Sequence, residues 1–438
     1  MEKNSLPTGW TEFDFLELID YKGGSQPPKK EFIYEERDGY IRLLQIRDFG
    51  ENPLPTYVPD SKILKKCKAD DLLIARYGGS SSNDSLGRIC TGLEGAYNVA
   101  LAKVIFDEEK LVKKFVKYLL QGHWFNDRLR SLSRSCQTGF NRSDLQDLYL
   151  PLPPPEEQNR IANQLEYFLG KAGSIVEEIK MIPESIKRLR NSILVAALKG
   201  ELTKIWRERN ISEISKDSNQ PPEIHDYKIN DDLKKDSEIP QYWSWKAIGN
   251  IAECRRGRFS HRPRNEPRFY GGRYPFIQIG DLPREGGFIT SHKQTLNDEG
   301  LKISKLFPSG TIAIAIVGAT IANTGILKYE TCFPDSLVGI ESGDEATNRF
   351  IEYYLRLEKE NFRKISYASG GQPNIKLETI NTYPIPFPPL MEIKEIVRHV
   401  DVLMGKVDFI EDRYNKVKSY TDKLPQSILA KAFRGELV

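Results

Sequence analysis

Two long segments of the chain carry apolar residues at a spacing typical of one narrow stripe along a helix. In the first segment the apolar positions step by four and three residues: Ile175, Ile179, Ile182, Ile186, Leu189 and Ile193. The second segment is weaker because Thr421 lies in its stripe, which otherwise holds Ile410, Tyr414, Val417, Leu424 and Ile428. Each stripe alone is typical of a buried helix face. Two equivalent stripes instead predict that the helices pair as an intramolecular coiled coil.

The second segment repeats the first. A shift of 235 residues aligns 150–203 with 385–438 without a gap, and 16 of the 54 positions are identical. A weaker match precedes each block, since LPTGW resembles IPQYW and LLQIRD resembles FIQIGD. The chain is therefore predicted to contain two half-repeats. We divide it into a first variable domain, a central helical region, a linker, a second variable domain and a C-terminal helical region: 1–149, 150–205, 206–238, 239–384 and 385–438.

Local signals mark where the long helices begin and end. Prolines precede Glu156 in the first copy, and acidic residues favour the positive end of a helix. Gly200 and Gly435 follow the last apolar positions, where a glycine commonly caps a helix. Pro183 and Pro425 fall inside the predicted helices, and we expect each to kink its helix.

The variable domains mix short β-like runs, such as 40–46, 72–77, 274–279 and 311–317, with turn-rich stretches. A predicted helix precedes the end of each domain, at 113–132 and 349–365. The predicted fold class is α+β. We expect two globular mixed α/β domains joined by the two long helices, with a pseudo-twofold internal repeat.

Composition and motifs narrow the function. The net charge is only +3 over 438 residues, so any nucleic-acid signal must be local. The first residues lack a signal-peptide core, there is no long apolar run, and five cysteines are dispersed. We therefore expect a cytoplasmic protein with reduced thiols and no membrane span. The sequence has no phosphate-binding loop, nucleophile elbow, zinc spacing or convincing nuclease cluster, and it lacks the tetrapeptide of methyltransferases that modify amino groups of bases. It therefore predicts neither catalysis nor a metal.

One basic segment, 253–273, contains seven arginines interleaved with Phe259, Phe269 and Tyr270. Such a segment can neutralise phosphates, and an arginine fork can also read guanine. The alternative interpretation is a solvated surface loop. We predict that five of the arginines contact DNA: Arg255, Arg256, Arg258, Arg262 and Arg264.

Polar loops occur at matching places in the two half-repeats, which favours a shared binding surface. They are rich in side chains that hydrogen-bond base edges and phosphates. In the second half the predicted readers are Asn323, Thr324, Gln372 and Asn374. In the first half the predicted DNA contacts are Lys29, Lys30, Arg76, Tyr77, Ser80, Asn83, Gln137, Asn141 and Arg142.

The order of these features resembles the specificity subunit (HsdS) of Type I restriction–modification systems. The resemblance rests on the proline-rich helix starts LPLPPPEEQ and IPFPPLMEI, the endings AALKGEL and KAFRGEL, and the alternation with variable units along the whole chain. The second helix start departs from the pattern at Met391-Glu392-Ile393. The resemblance implies that each variable unit is a target recognition domain for one half of a bipartite, asymmetric DNA site. It also implies that the helices pair antiparallel as a spacer.

The resemblance further implies partners that supply the chemistry of DNA methylation and phage defence. Two modification subunits (HsdM) would carry S-adenosylmethionine, and two restriction subunits (HsdR) would use ATP and magnesium, leaving no cofactor and no catalytic residue in this chain. A Type IIB-like system uses the same two-reader plan and is an alternative of the same class. Two hypotheses from different classes are a free-standing DNA enzyme and a protein scaffold without a DNA role.

Overall fold

The computed structural model describes residues 6–50, 52–77, 85–131, 139–215, 223–234, 238–368 and 373–437. The chain forms two compact units. One unit combines the chain up to Met181 with the chain from Tyr414 onward, and the other spans Ile182–Arg413. Each contains sheets, helices and an apolar core, which confirms the mixed α/β class. The division differs from the predicted segmentation because the helical regions bury their apolar residues within these units.

Within its described residues the first unit has ten strands: β1 Thr11–Asp14, β2 Ile19–Gly23, β3 Tyr40–Leu44, β4 Tyr57–Pro59, β5 Lys66–Cys67, β6 Leu73–Ala75, β7 Ile89–Cys90, β8 Gly95–Tyr97, β9 Leu101–Phe106 and β10 Tyr149–Leu152. Its helices are α1 Phe15–Leu18, α2 Lys113–Leu119, α3 His123–Ser131 and α4 Pro155–Ile179. It also contains the last part of α13, the long C-terminal helix Leu390–Ala432 that begins in the second unit.

The second unit, over the part that the structure describes, has the strands β11 Ser244–Ala247, β12 Glu253–Arg256, β13 Tyr270–Phe276, β14 Phe288–Ile289, β15 Gln294–Leu296, β16 Leu306–Phe307, β17 Ile312–Ala315, β18 Thr324–Leu327, β19 Thr331–Cys332, β20 Leu337–Glu341 and β21 Pro384–Phe387. Its helices are α5 Ile182–Leu198, α6 Lys204–Arg209, α7 Ile211–Ile214, α8 Ile248–Ile251, α9 Asp298–Lys302, α10 Glu345–Leu357, α11 Lys359–Ala368, α12 Leu377–Asn381 and α13 Leu390–Ala432.

The sheets of the two units follow one plan. The strand orders are β2-β9-β6-β7 and β4-β3-β8-β5 in the first unit, and β12-β20-β17-β18-β14 and β15-β13-β19-β16 in the second. The parallel pair β3–β8 corresponds to the parallel pair β13–β19. A separate antiparallel ribbon joins the two ends of each variable domain, with Thr11 opposite Leu152 and Ser244 opposite Phe387. The variable sequences therefore fold onto similar strand frameworks.

The two prolines that were predicted to kink the long helices lie in different structural settings. The first helical region is interrupted at residues 180 and 181, and Pro183 lies in the first turn of α5, where its missing N–H costs no helical bond. Pro425 lies inside α13, which continues through it. Pro183 therefore coincides with a break between two helices, whereas Pro425 ends no helix. None of the described helices is both long and apolar enough to cross a membrane.

Both long helical regions end in the same glycine cap. Gly200 has φ +69° and Gly435 has φ +71°, which is the left-handed region that favours glycine. Around Gly200 the amide of Glu201 donates to the carbonyl of Ala196 over 2.9 Å, and Glu436 donates equivalently to Lys431 over 2.9 Å. The predicted caps are therefore confirmed.

The glycine caps are also packing sites. A methyl group on Gly200 would lie 2.7 Å from Pro240 Cγ, and one on Gly435 would lie 2.5 Å from Pro7 Cγ. Trp243 and Trp10 are the next neighbours of these two positions. The Pro-x-x-Trp motif at the start of each variable domain thus packs against the end of a long helix. The first helical region meets the second Trp motif, and the C-terminal region meets the first.

The buried line along the helices differs from the predicted stripe. Buried positions recur at seven- or fourteen-residue intervals, at Ala172, Ile186 and Ile193 in the first copy and at Val407 and Thr421 in the second. Ile179, Ile182, Tyr414 and Ile428 are half-buried. The remaining predicted seam residues are 36–46% exposed, so the stripe is incorrect at these positions: Ile175, Leu189, Ile410, Val417 and Leu424. Both helices are rotated about their axes relative to the prediction, so that the buried side is centred one residue later in the sequence. The half-buried Arg190 and Pro425, which follow Leu189 and Leu424, show this displacement.

Within the second unit α5 and α13 run antiparallel. Arg190 of α5 forms ion pairs with Asp408 and Glu411, each over 2.6 Å. Further along the chain from Arg190, residues after α5 meet the start of α13. Because the contacts move forward along one segment and backward along the other, the two segments have opposite directions.

Glu392, in the first turn of α13, is fully buried and joins three elements. Its carboxylate accepts hydrogen bonds from Trp243 Nε1 over 2.9 Å and from Thr203 Oγ1 over 2.7 Å. Arg207 of α6 pairs with the same carboxylate over 2.8 Å. Glu392 is in the helix start that departs from the family pattern, yet it organises the surrounding polar contacts.

Much of the predicted linker 206–238 is folded where it is described. It contains the end of α6 and all of α7, whose Ile214 is buried. Further along, the amide of Tyr227 donates to Asn250 Oδ1 over 2.7 Å, and the amide of Asn230 donates to Thr382 O over 3.0 Å. This segment therefore adds to the second unit.

Replacing Glu392 by alanine should destabilise the second unit by about 3–5 kcal/mol, because Arg207 would keep a partly buried charge without its partner. Glu392→Gln should cost less, since it keeps an acceptor for Trp243. Chemical denaturation measures both. Asp412→Ala, at an exposed position of the same helix, is the control and should stay within about 0.5 kcal/mol. Equal stability of Glu392→Ala and this control would contradict the role of the carboxylate.

Candidate nucleic-acid interface

In the first unit, Arg76 holds two loops together where β6 ends. Its carbonyl accepts a 3.2 Å hydrogen bond from the amide of Phe140, and its Nη2 donates to the carbonyl of Phe140 over 3.3 Å. The guanidinium carbon lies 5.6 Å from the ring centre of Tyr21 and 5.7 Å from that of Tyr77. Burial raises the pKa of Tyr21, with Arg76 opposing the shift, so this phenol stays protonated and can donate at neutral pH.

Asn141 and Arg142, which are exposed, complete a polar cluster with the half-buried Arg76 and Tyr77. Arg76 Nη2 lies 3.4 Å from Asn141 Oδ1, and the Asn141 amide donates to Asp144 Oδ2 over 2.7 Å in a capped turn. Arg142 is exposed and lies 3.6 Å from Asp20. Four predicted residues from two distant loops are thus brought together. Ser80, Asn83 and Gln137, from the same two loops, lie outside the described residues.

Lys29 and Lys30 form a separate basic turn. They occupy a short 3-10 helix, Lys29–Glu31, that follows Pro27 and Pro28, and both are exposed. Among the described residues, no carboxylate oxygen lies within 4.0 Å of either ammonium group. These two charges are therefore available to an external anion.

The second unit pairs the equivalent loops in the same way but with different side chains. The amide of Ile375 donates to the carbonyl of Ile316 over 2.9 Å, as Phe140 does to Arg76, and Val317 bridges to Asn374. Asn374 is exposed, whereas Gln372 lies outside the described residues. The backbone arrangement recurs, but apolar residues replace Arg76 and Tyr77.

Asn323 and Thr324, predicted as base readers, are buried in the second unit, with 6% and 2% exposed. Thr324 begins β18 and donates to Glu352 Oε1 over 2.9 Å. The fully buried Glu352 also accepts from the amide of Gly287 and pairs with Arg356 over 2.6 Å. The prediction that Thr324 reads a base is therefore wrong, because its side chain points into the hairpin and donates a hydrogen bond to the buried carboxylate of Glu352. Asn323 instead lines a cavity of the same unit.

The arginine-rich segment is folded around Asp335, which sequence reasoning missed. Arg262 pairs with its carboxylate over 3.1 Å, Arg264 contacts the same carboxylate, and Arg256 Nε donates to its carbonyl over 2.7 Å. In the sequence Asp335 is visible only as part of a common Pro-Asp pair. A single carboxylate approached by two arginines leaves a local excess of positive charge.

Two further arginines of this segment are held by their own unit. Arg258 Nη2 donates to the carbonyl of Ser304 over 2.9 Å. Arg255 lies 3.4 Å from Glu341, with its guanidinium 5.3 Å from the ring centre of Phe307. The segment is therefore a structured basic surface with partly committed charges, not a loop of free arginines.

The thiols of the described residues are poorly suited to nucleophilic chemistry. Burial raises the pKa of Cys67, Cys90 and Cys332 to about 11 and that of Cys254 to about 12. Each thiol therefore stays protonated at neutral pH, whereas the thiolate is the reactive form. Over the described ranges, no group of three or more His, Cys, Asp or Glu residues is arranged to hold a metal ion.

Comparisons with known proteins agree on one group. The family described as "Type I restriction modification DNA specificity domain" matches residues 240–419. The specificity subunit of the type I restriction enzyme EcoKI from Escherichia coli (strain K12) is 25% identical, with 100% of this chain and 91% of that protein covered. The EcoBI specificity subunit from Escherichia coli is 26% identical, with 99% and 87% covered.

Two solved structures share the fold over 99% of both chains. A chain from a structure concerned with complex assembly and conformational transition of the type I R-M system matches with a TM-score of 0.67 and 17% identity. The HsdS subunit from Thermoanaerobacter tengcongensis matches with a TM-score of 0.57 and 17% identity. These identities are low, so the likeness is one of fold.

Residues 240–419 therefore match a DNA specificity domain of type I restriction–modification systems. The whole chain is similar to curated type I specificity subunits at 25% and 26% identity. It also shares the fold of a solved HsdS subunit.

Replacing Thr324 by valine should destabilise the second unit by about 1–3 kcal/mol, because the buried Glu352 would lose a hydrogen-bond donor. The recognised DNA site should not change. Denaturant titration and mapping of methylated sites measure the two outcomes. Thr290→Val, at an exposed position of the same unit, is the control. A changed base preference with unchanged stability would restore Thr324 as a reader.

Proposed function

We propose that this chain reads a bipartite, asymmetric DNA site, one half-site with each unit, and that it catalyses no reaction itself. The observation that carries this proposal is the repeated loop pairing, Phe140 to Arg76 and Ile375 to Ile316. One backbone arrangement presents different side chains at equivalent places. Base edges are distinguished by side-chain donors, acceptors and apolar groups, so the two units would recognise different sequences.

The first-half reader is the Arg76 cluster, formed by Arg76, Tyr77, Asn141 and Arg142. Arginine and asparagine match the acceptor and donor patterns of guanine and adenine in the major groove. Lys29 and Lys30 supply phosphate contacts, because their charges are exposed and lack a carboxylate partner among the described residues. In the second half, Asn374 provides the corresponding polar group. The arginines that contact Asp335 provide the basic groups: Arg256, Arg262 and Arg264.

The catalytic chemistry belongs to partner subunits in this proposal. Modification subunits would bind S-adenosylmethionine and methylate DNA, and restriction subunits would use ATP and magnesium to cleave it. No cofactor is assigned to this chain. The paired helices would act as an antiparallel coiled-coil spacer, which the Arg190 ion pairs to Asp408 and Glu411 support within the second unit.

Exposed apolar residues on the long helices support docking of the modification subunits. On α13 they form a stripe along one face of the helix: Val402, Phe409, Ile410, Val417, Tyr420 and Leu424. Their exposed fractions run from 36% to 75%. Tyr167, Ile175 and Leu189 are exposed in the first helical region, the last two at positions equivalent to Ile410 and Leu424. Two equivalent surfaces fit two equivalent partners.

Arg76→Ala and Asn141→Ala should each relax one position of a single half-site, with a discrimination loss of about 1–3 kcal/mol. The other half-site should stay unchanged because the second unit is intact. The readout is the methylated motif in cells that express the variant with its modification subunits. Lys110→Ala, whose ammonium pairs with Asp107 in the wild type, is the control. Equal relaxation of both half-sites would count against one reader per unit.

Ile410→Glu should weaken binding of the modification subunit at least tenfold, because a charge would replace part of an apolar docking surface. The fold should remain intact, since Ile410 is 46% exposed. Co-purification and titration with the modification subunit measure this effect. Ser419→Glu places the same charge at an exposed position of α13 outside the stripe. A similar loss in both variants would reject the stripe as the docking surface.

A further inference from the structure

A basic pocket lies in the second unit, apart from the residues proposed to contact DNA, and Asn323 is one of its lining residues. It has a volume of about 400 Å³ and is lined by α5, the junction of α10 and α11, and the loops around Arg284 and Asn323. This volume is within the usual range of small-ligand sites, about 300–1,000 Å³. We call it the basic pocket and define it by Lys187, Arg284, Asn323, Lys359 and Arg363.

The charges of the basic pocket are not balanced by its own residues. Five cations and two carboxylates line it, a formal excess of three positive charges. Arg356 is compensated by Glu352, and Arg363 pairs with Glu360 over 2.9 Å. For the remaining three cations, the described part of the chain offers no carboxylate oxygen within 4.0 Å: Lys187, Arg284 and Lys359.

The cations are close enough to repel each other. The pKa of Lys359 is lowered, first by burial and then by the charge of Arg363, with a smaller contribution from Lys187, while Glu285 and Glu360 oppose the shift. A half-buried ammonium that faces like charges is destabilised in its protonated form. An anion in the pocket would reverse that effect, because it would interact favourably with all three groups.

Asn323 provides an independent indication of a ligand. Its side chain is 6% exposed, lines the pocket, and its Oδ1 has no hydrogen-bond partner among the described residues. A buried polar atom without a partner is uncommon and often marks a site for a ligand, ion or water. Because the amide oxygen and nitrogen are exchangeable by a flip of the group, Asn323 can present an N–H donor to an oxyanion. The backbone of the preceding Ala322 has φ +66°, an unusual conformation for a non-glycine residue.

We propose that the basic pocket binds a phosphate group. Compact tetrahedral oxyanions suit a site that combines lysine and arginine donors with a buried amide. The group is either a phosphodiester of bound DNA or free inorganic phosphate, which share this chemistry. The inference extends the proposed function, which assigns DNA contacts to other residues, and neither depends on the other.

The first arm of the test titrates inorganic phosphate into the full chain, at constant ionic strength in chloride, by calorimetry. The wild type should bind phosphate saturably. The double variant Lys187→Gln/Lys359→Gln should bind at least tenfold more weakly, and Lys228→Gln, at an exposed position elsewhere in the unit, should bind like the wild type.

In chloride alone the double variant should unfold at the same temperature as the wild type or higher, because it removes repelling charges. Lys187→Gln alone, at an exposed site, gives a second variant that retains the fold.

The second arm measures duplex DNA binding as a function of salt concentration. If a DNA phosphodiester occupies the pocket, the double variant should reduce the slope of log affinity against log salt by about 1. If free phosphate occupies it, the slope should be unchanged while phosphate binding is lost. A double variant that matches the wild type in both phosphate binding and DNA salt slope would overturn the proposal. Because phosphate binding needs neither modification subunits nor a target sequence, this result is separable from failure of the half-site readers.

Discussion

The docking of each long helical region onto a Pro-x-x-Trp motif is the contact on which the rest of the arrangement depends. Gly200 and Gly435 must adopt a left-handed conformation to end their helices, and both lie where a side chain would collide with a proline. The same glycine therefore closes the helix and allows the close approach. Since the first region meets the second motif and the C-terminal region meets the first, each unit is completed by a helix end from the other half-repeat. Neither helix end can be removed without exposing a core.

Buried carboxylates organise the polar interior around this framework. Glu392 connects Trp243, Thr203 and Arg207, while Glu352 connects β18, the Gly287 loop and α10. Burying a carboxylate is costly unless several donors surround it, so each one fixes the loops that supply those donors. These contacts place the surface loops with little freedom. The loops can then present different side chains in the two units while the backbone pairing beneath them stays the same.

The long helices have two apolar sides with different roles. One side, with Ile186, Ile193 and Val407, is buried within the units. The other, with the equivalent residues Ile175 and Ile410 among its members, stays exposed in both copies. Exposed apolar rows of this length are unusual in a monomer and indicate a binding surface. The residues that periodicity grouped into one stripe thus divide between an internal core and the surface proposed for partner docking.

Periodicity, repeats and glycine placement determined the helices, their caps and the two-part organisation, because these features depend on residues close in the sequence or on comparison within it. The Arg76 cluster could also be predicted, since matching loops in both halves indicated it. Tertiary structure alone decided three other features. Tertiary packing decided which part of each stripe is buried, because a helix can rotate by a fraction of a turn about its axis without changing the period of its apolar residues. It turned Thr324 inward, because Glu352 lies 28 residues away in sequence but 2.9 Å away in space. It also placed Asp335 among the arginines, because ion pairs between distant segments depend on how the strands are stacked and leave no local pattern.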